Sequence, residues 1–346
     1  MFPPILSSLP LRCLVAGILA IAVSVLGGPA VIGWLRKRFR ERVASASPTL
    51  DRLHAHKQQT PTMGGLLILG AWLLSLLCCA DLTQRLLLQG VLLASGFGAI
   101  GAADDWIKLR TSRRGLSVRQ KLLLQMLIAG IVVNWLGTQP GSPGEHALQI
   151  PGLSWSFSLG WFWPVWGVLV IVGSSNAVNL TDGLDGLAAG TAVISGTVLA
   201  LLILIAGGPE FLPTDSTGGS PGTSEVLVML TALMGATLGF LWHNAHPAQV
   251  FMGDTGALAI GAILGWGALV CRQEVLWCVV GGVFVVETLS VIIQISCWRL
   301  LGFRPLRCSP LHNHYVFAGV PETRIVIHFW IAAALCGLVG LLLAVL

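Results

Sequence analysis

Charged residues are scarce in this sequence. Asp, Glu, Lys and Arg together make up 10% of the 346 residues, while 55% are hydrophobic. A soluble domain carries about 25% charged residues, so a water-soluble globular enzyme is excluded. The mean hydropathy of +0.82 fits a polytopic membrane protein whose core is its own bilayer-spanning bundle. Tyr occurs once against 13 Trp, which leaves interfacial anchoring to Trp. No CxxC pair occurs among the eight cysteines. Most of them stand in apolar runs and read as small buried hydrophobes, which argues against a disulfide frame or a zinc site. No internal repeat and no separate soluble domain is visible, so residues 1–346 read as one integral-membrane domain. A cleavable leader is not expected either, because the first apolar stretch is long enough to span and a basic block follows it.

Apolar runs predict about ten transmembrane helices, at 11–35, 64–80, 86–103, 121–137, 160–177, 186–206, 225–242, 256–271, 276–297 and 325–345. The formal charge of +5 is better read loop by loop than as affinity for nucleic acid. Seventeen of the 20 Lys and Arg residues fall in three loops, 36–63, 104–121 and 298–324; only Arg12, Arg85 and Arg272 lie on the other side. The positive-inside rule then puts these loops in the cytoplasm and both termini outside. Of the outer loops, 138–159 has the turn signals and alternation of a short hairpin, and 207–224 reads as linker.

The polar residues collect on the basic side. The stretch from Gly173 to Gly186, GSSNAVNLTDGLDG, ends a long apolar run and carries Asn176, Asn179, Asp182 and Asp185. On a helix, Asn179, Asp182 and Asp185 share one face. Carboxylates at the edge of a span are costly unless a cation or an array of hydroxyls meets them. Asp104 and Asp105 are adjacent at the end of the third span, where like charges repel and the helix dipole disfavours anions. Asp254 lies in HNAHPAQVFMGDTG beside His243, Asn244 and Phe251. A helix N-cap would explain the Asp alone, whereas an exposed Phe among carboxamides suits a flat ring and its edge. His312 and His314 sit in PLHNHYVFAGVPETR among Arg304, Arg307 and Arg324, a set suited to phosphate; a basic juxtamembrane loop would also touch anionic lipid. HAHKQQTPTMGG adds Lys57 and Thr62, and GLSVRQKLLLQ adds Arg119 and Lys121. Glu287 is the one acid well inside a span, with Thr288, Ser290 and Gln294 near enough to satisfy it, and a structural role is expected. Acids to hold metal, cations to hold phosphates and an aromatic platform for a base suit Mg²⁺-assisted phosphoryl chemistry at a membrane surface.

HKQQTPTMGG, DDWIKLR, GLSVRQKLLLQ, NAVNLTDGLDGLA, FLWHNAHPAQVFMGDTGALAIG, ETLSVIIQ and PLHNHYVFAGVPETRIVIHFW occur in this order along nearly the whole chain. Together they resemble the phospho-N-acetylmuramoyl-pentapeptide-transferases, within the polyprenyl-phosphate N-acetylhexosamine-1-phosphate transferase superfamily. The resemblance implies a ten-helix bundle, often a homodimer, in the bacterial cytoplasmic membrane with its active site facing the cytoplasm. It implies Mg²⁺-dependent transfer of phospho-MurNAc-pentapeptide from UDP-MurNAc-pentapeptide to undecaprenyl phosphate, giving lipid I and UMP. By the same resemblance Asp104 and Asp105 act on the lipid phosphate and Asp254 is the Mg²⁺ ligand, with Asp105 as its companion. Asn176, Asn179 and Asp182 match polar active-site positions. Asp185, Asn244 and Phe251 match the nucleoside pocket, and Lys57, Thr62, Lys121, His312 and His314 match positions around phosphates or sugar.

The chain departs from that pattern at Asn313, where a middle histidine is usual between His312 and His314, and at His243, Ala257 and His328, where Phe, Ser and Arg are common. A sibling enzyme using UDP-GlcNAc would share the acids and differ in the histidine loop and the PET segment. A transporter would place its polar groups near the bilayer midplane, often at broken helices in paired repeats; here they cluster at span ends.

Overall fold

The structure is a computed structural model that describes residues 8–39, 60–111, 115–138, 147–150, 156–206 and 222–346. Among these residues are twelve α-helices: α1 (Leu9–Arg38), α2 (Gly65–Cys79), α3 (Arg85–Arg110), α4 (Val118–Gly137), α5 (Trp163–Thr181), α6 (Leu187–Ala206), α7 (Thr223–Asn244), α8 (Gly253–Val270), α9 (Glu274–Val280), α10 (Gly282–Leu301), α11 (Leu311–Phe317) and α12 (Glu322–Val345). The hairpin expected in 138–159 is present, with β1 (Ala147–Gln149) antiparallel to β2 (Ser156–Ser158) and Leu148 opposite Phe157. The 207–224 linker lies almost wholly outside the described residues.

Nine of the described helices are long and apolar enough to cross a bilayer. The tenth expected span is α2, apolar but only 15 residues long, about 22 Å at 1.5 Å per residue. The expected span at 276–297 is not one helix. It breaks at the Gly281-Gly282 pair into α9 and α10, because two glycines in succession remove the side chains that favour an uninterrupted helix. The seven-residue α11 was not anticipated, being too short to show a period.

The centre of the bundle is α8, with α7 beside it. In their most apolar stretches 83% of α8 and 78% of α7 are buried. Such helices are apolar on every face, and Ala257 to Leu269 of α8 is buried without interruption. Helix α8 packs between α3 and α5, and α7 packs against α1, α2 and α6. These contacts are close because small residues meet: a Cβ on Gly235 would run into the backbone of Gly17, and Ser24 Oγ donates to Ala236 O at 3.0 Å. Where lipid is as apolar as leucine, such backbone approach and interhelical hydrogen bonds supply the specificity.

One end of the bundle is tied by Arg12. Its guanidinium meets both oxygens of Glu225 at 2.6 Å and donates from Nε to Cys79 O at 2.9 Å; Asp81 N–H also donates to Glu225 at 2.9 Å. This joins the start of α1, the end of α2 and the start of α7. The opposite ends of α1, α2, α3, α7 and α8 converge on the acidic centre.

Candidate active site

The acidic centre is built where the end of α3 meets the start of α8. Asp104, Asp105 and Asp254 each offer an oxygen within 4.8 Å of the others. Gly101 permits this approach: a Cβ there would collide with the Asp254 backbone. Gly253, at φ +72°, adopts a conformation that disfavours side chains, and a Cβ on it would lie 2.7 Å from Asp105 Oδ2 and 2.8 Å from Thr62 Oγ1.

The three acids have different surroundings. Asp105 accepts from Asp254 N–H at 3.2 Å, from Thr255 N–H at 3.0 Å and from the Thr255 hydroxyl at 2.7 Å. Those N–H groups are among the unpaired donors of the first turn of α8, so Asp105 caps that helix from α3, where its charge also suits the positive end of the dipole. Asp104 accepts Leu116 N–H at 2.7 Å and meets Lys108 Nζ at 2.7 Å. Asp254 Oδ2 is shared by Lys121 at 2.5 Å and Lys108 at 3.2 Å, and its Oδ1 accepts from Asn179 Nδ2 at 2.9 Å. Its side chain is 14% exposed, against 4% and 3% for Asp104 and Asp105.

Two ammonium groups thus converge on the most exposed of three clustered carboxylates. The donor set is all hard oxygen, the kind that divalent magnesium takes, and three acids against two lysines leave an unbalanced negative charge. The residues present fit such an ion.

Around this centre the sequence-predicted residues fall into groups. Thr62 is buried beside Gly253. Its turn is paired with the 251–252 segment: Phe251 N–H donates to Pro61 O, Gly64 N–H to Phe251 O and Gly65 N–H to Met252 O, at 2.8–2.9 Å. Met63 in that turn has φ +68°, rare outside glycine and typical of constrained functional loops. Asn179, Lys121 and the three acids come together directly. Asn176 does not reach them; its Nδ2 bonds Gln125 Oε1 and Val172 O, both at 2.8 Å, and joins α5 to α4. Lys57 lies outside the described residues.

A second group surrounds Asp185, whose Oδ2 meets His246 Nδ1 at 3.0 Å and Ala248 N–H at 3.1 Å, and whose N–H donates to Glu322 at 2.8 Å. Asn244 is buried and spans Gly186 N–H and Val250 O, which fixes the loop leading to Phe251. Beside this group, His312 Nε2 lies against Gly183, next to Asp182. His314, two residues on, points elsewhere and accepts Arg307 N–H at 3.1 Å. The sequence marks Lys108 only as a surface partner of the paired acids and His246 only as one of the polar residues crowding the Asp254 loop; it does not single out Thr255 or Glu322. Lys108 had a signal, since it stands three and four residues after the paired acids on one helix face. Thr255 and Glu322 had none, because their partners are far away in sequence.

Comparison with known proteins places the chain in a family. The model of glycosyl transferase family 4 matches residues 87–272, which carry the acidic centre, and the chain is a member of that family. A phospho-N-acetylmuramoyl-pentapeptide-transferase of Desulfovibrio desulfuricans is 45% identical over 338 residues, covering 95% of this chain and 92% of the relative. Relatives of the same name from Maridesulfovibrio salexigens (43% over 333 residues, 95% and 92% covered) and Granulibacter bethesdensis (43% over 324 residues, 93% and 90% covered) are similar along the same length. The chain belongs to the phospho-N-acetylmuramoyl-pentapeptide-transferase family.

Proposed function

We propose that this chain transfers phospho-MurNAc-pentapeptide from UDP-MurNAc-pentapeptide to undecaprenyl phosphate, forming lipid I and releasing UMP, at the cytoplasmic face of the bacterial inner membrane. The observation that carries the reading is the triad Asp104, Asp105 and Asp254 with Lys108 and Lys121, set at one end of an apolar bundle. A lipid phosphate reaches that end from the bilayer and a nucleotide reaches it from water. The basic loops support the cytoplasmic orientation.

Asp254 and Asp105, with Asp104 in reach, would hold Mg²⁺, which would supply charge neutralisation for a diphosphate at this place. Lys121 and Lys108, both gathered at Asp254, are placed to donate to phosphate oxygens. Asn179 keeps Asp254 oriented through Oδ1. Asp104 is the acid nearest to free, with one backbone donor and one half-exposed lysine, and it takes up or orients the lipid phosphate proton. The lipid phosphate oxygen attacks the β-phosphorus, the bond to the UMP oxygen breaks, and UMP leaves. Asp185, the 244–251 loop and Phe251 form the nucleoside side; His312 flanks the sugar and phosphates, while His314 is turned to Arg307. Pairing of two copies in the membrane is part of the same reading.

The test is a transfer assay on purified protein with undecaprenyl phosphate and Mg²⁺, offered UDP-MurNAc-pentapeptide or UDP-GlcNAc. Lipid product and UMP from the first alone, abolished by EDTA, is the expected result. Product from UDP-GlcNAc alone would move the chain to the sibling activity.

A further inference from the structure

Glu287 is fully buried in α10, and its carboxylate is turned to one residue, His312. Oε1 accepts the His312 backbone N–H at 3.1 Å and Oε2 lies 3.2 Å from ring Nδ1. His312 is itself 1% exposed. A carboxylate only accepts hydrogen bonds. With Glu287 ionised and Oε1 used by the backbone, the ring contact requires a proton on Nδ1. The opposite ring edge, bearing Nε2, lies against Gly183, where any side chain would collide with it, and Gly183 follows Asp182 in the polar segment of the site. The carboxylate therefore grips the imidazole from behind and fixes which nitrogen faces the site.

We propose that Glu287 is a positioning residue for the transfer reaction: it holds the His312 proton on Nδ1 and thereby presents Nε2 to the bound substrate. The inference rests on the placement of His312 beside the sugar and phosphates argued above. It replaces the expectation that Glu287 is merely satisfied by neighbours on its own helix. The chemistry resembles that of any imidazole whose working nitrogen is set by the bond its other nitrogen makes.

Glu287→Gln is the discriminating variant, because it keeps shape and removes charge. An amide offers one acceptor where the carboxylate offers two. Whichever way it turns, its NH₂ faces either the backbone N–H or Nδ1–H, and both contacts survive only if the ring proton moves to Nε2.

The measurement is ¹⁵N NMR of histidine-labelled full-length protein, with His312 assigned by loss of its signals in His312→Asn. Wild type is expected to show a protonated Nδ1, and Glu287→Gln a proton shifted to Nε2. Transfer activity should fall about 10- to 100-fold, the usual effect of losing such an outer partner. In a His312→Ala background the same change should cost less than about twofold, since its effect passes through the ring. A wild-type ring protonated on Nε2 alone, or full additivity of the two changes, would overturn the proposal, and the wild-type spectrum decides even if Glu287→Gln does not fold. Absence of transfer by wild type would instead remove the proposed function and leave the tautomer to be read on its own.

Discussion

His243 supplies the hydrogen bond that Pro29 removes from α1. Pro29 has no N–H, so Val25 O, four residues earlier, loses its helical donor. His243 on α7 reaches that carbonyl with Nε2 at 3.2 Å. Gly28 makes the room: a side chain there would strike the imidazole. Since a carbonyl only accepts, Nε2 carries the proton. The histidine that stands where the family commonly has Phe thus has a local cause. His243→Ala should destabilise the protein by about 1–3 kcal/mol, the cost of a buried orphan acceptor. In a Pro29→Ala background, where the N–H returns, the same change should cost measurably less. Thermal unfolding of the four proteins checks this, and equal costs in both backgrounds would refute it.

Asp254→Asn should abolish turnover and flatten the Mg²⁺ dependence while the protein stays folded in detergent. The side chain keeps its shape but loses the charge that Lys108 and Lys121 now share. UMP release across a Mg²⁺ titration, beside a melting curve, checks the outcome; normal turnover would remove Asp254 from its assigned role.

Asp104 and Asp105 should separate by stability. Asp105→Ala strands three donors at the start of α8, and hydrogen bonds to charged groups are worth about 1.5–3 kcal/mol each. Asp104→Ala gives up one backbone donor and a half-exposed lysine. The melting temperature should fall clearly further for Asp105→Ala, although both variants lose transfer. A larger fall for Asp104→Ala would reverse the assignment of brace and reacting acid.

Phe251→Ala should raise KM for the nucleotide substrate more than it lowers kcat, because a stacking platform binds ground and transition states alike. Initial rates over a range of UDP-MurNAc-pentapeptide decide, and an unchanged KM would take Phe251 out of the nucleoside pocket.

At the far end of the bundle, Glu225→Gln leaves Arg12 buried beside a neutral partner. Breaking such a pair costs about 3–5 kcal/mol. The melting temperature should drop while kcat below it stays near wild type, since no site residue is touched. A selective loss of activity in stably folded protein would show coupling between the two ends.

Much of this was legible from order and type alone. Long apolar runs gave the spans, because a bilayer demands about 20 apolar residues per helix. The acids stood out because carboxylates in an apolar chain are costly. What escaped depends on which elements meet. Nothing local marks Asp105 as the cap of a helix that begins 148 residues later, or Glu287 as the partner of a histidine 25 residues on. Asn176 shares a helix with Asn179 yet faces Gln125, which a list of polar residues does not reveal. The break at Gly281-Gly282 is hidden because both halves are equally apolar.

The cap that Asp105 places on α8 makes the acidic centre conditional on assembly. Its donors lie 149 and 150 residues further along the chain. Before α8 has docked on α3, Asp254 is remote from the paired acids and Lys108 has only its own helix to answer to. A complete chain whose α8 has not yet docked therefore carries the residues of the centre without their arrangement. Until the bundle closes, the three carboxylates and the two ammonium groups have no common meeting place, so the centre exists only in the finished fold.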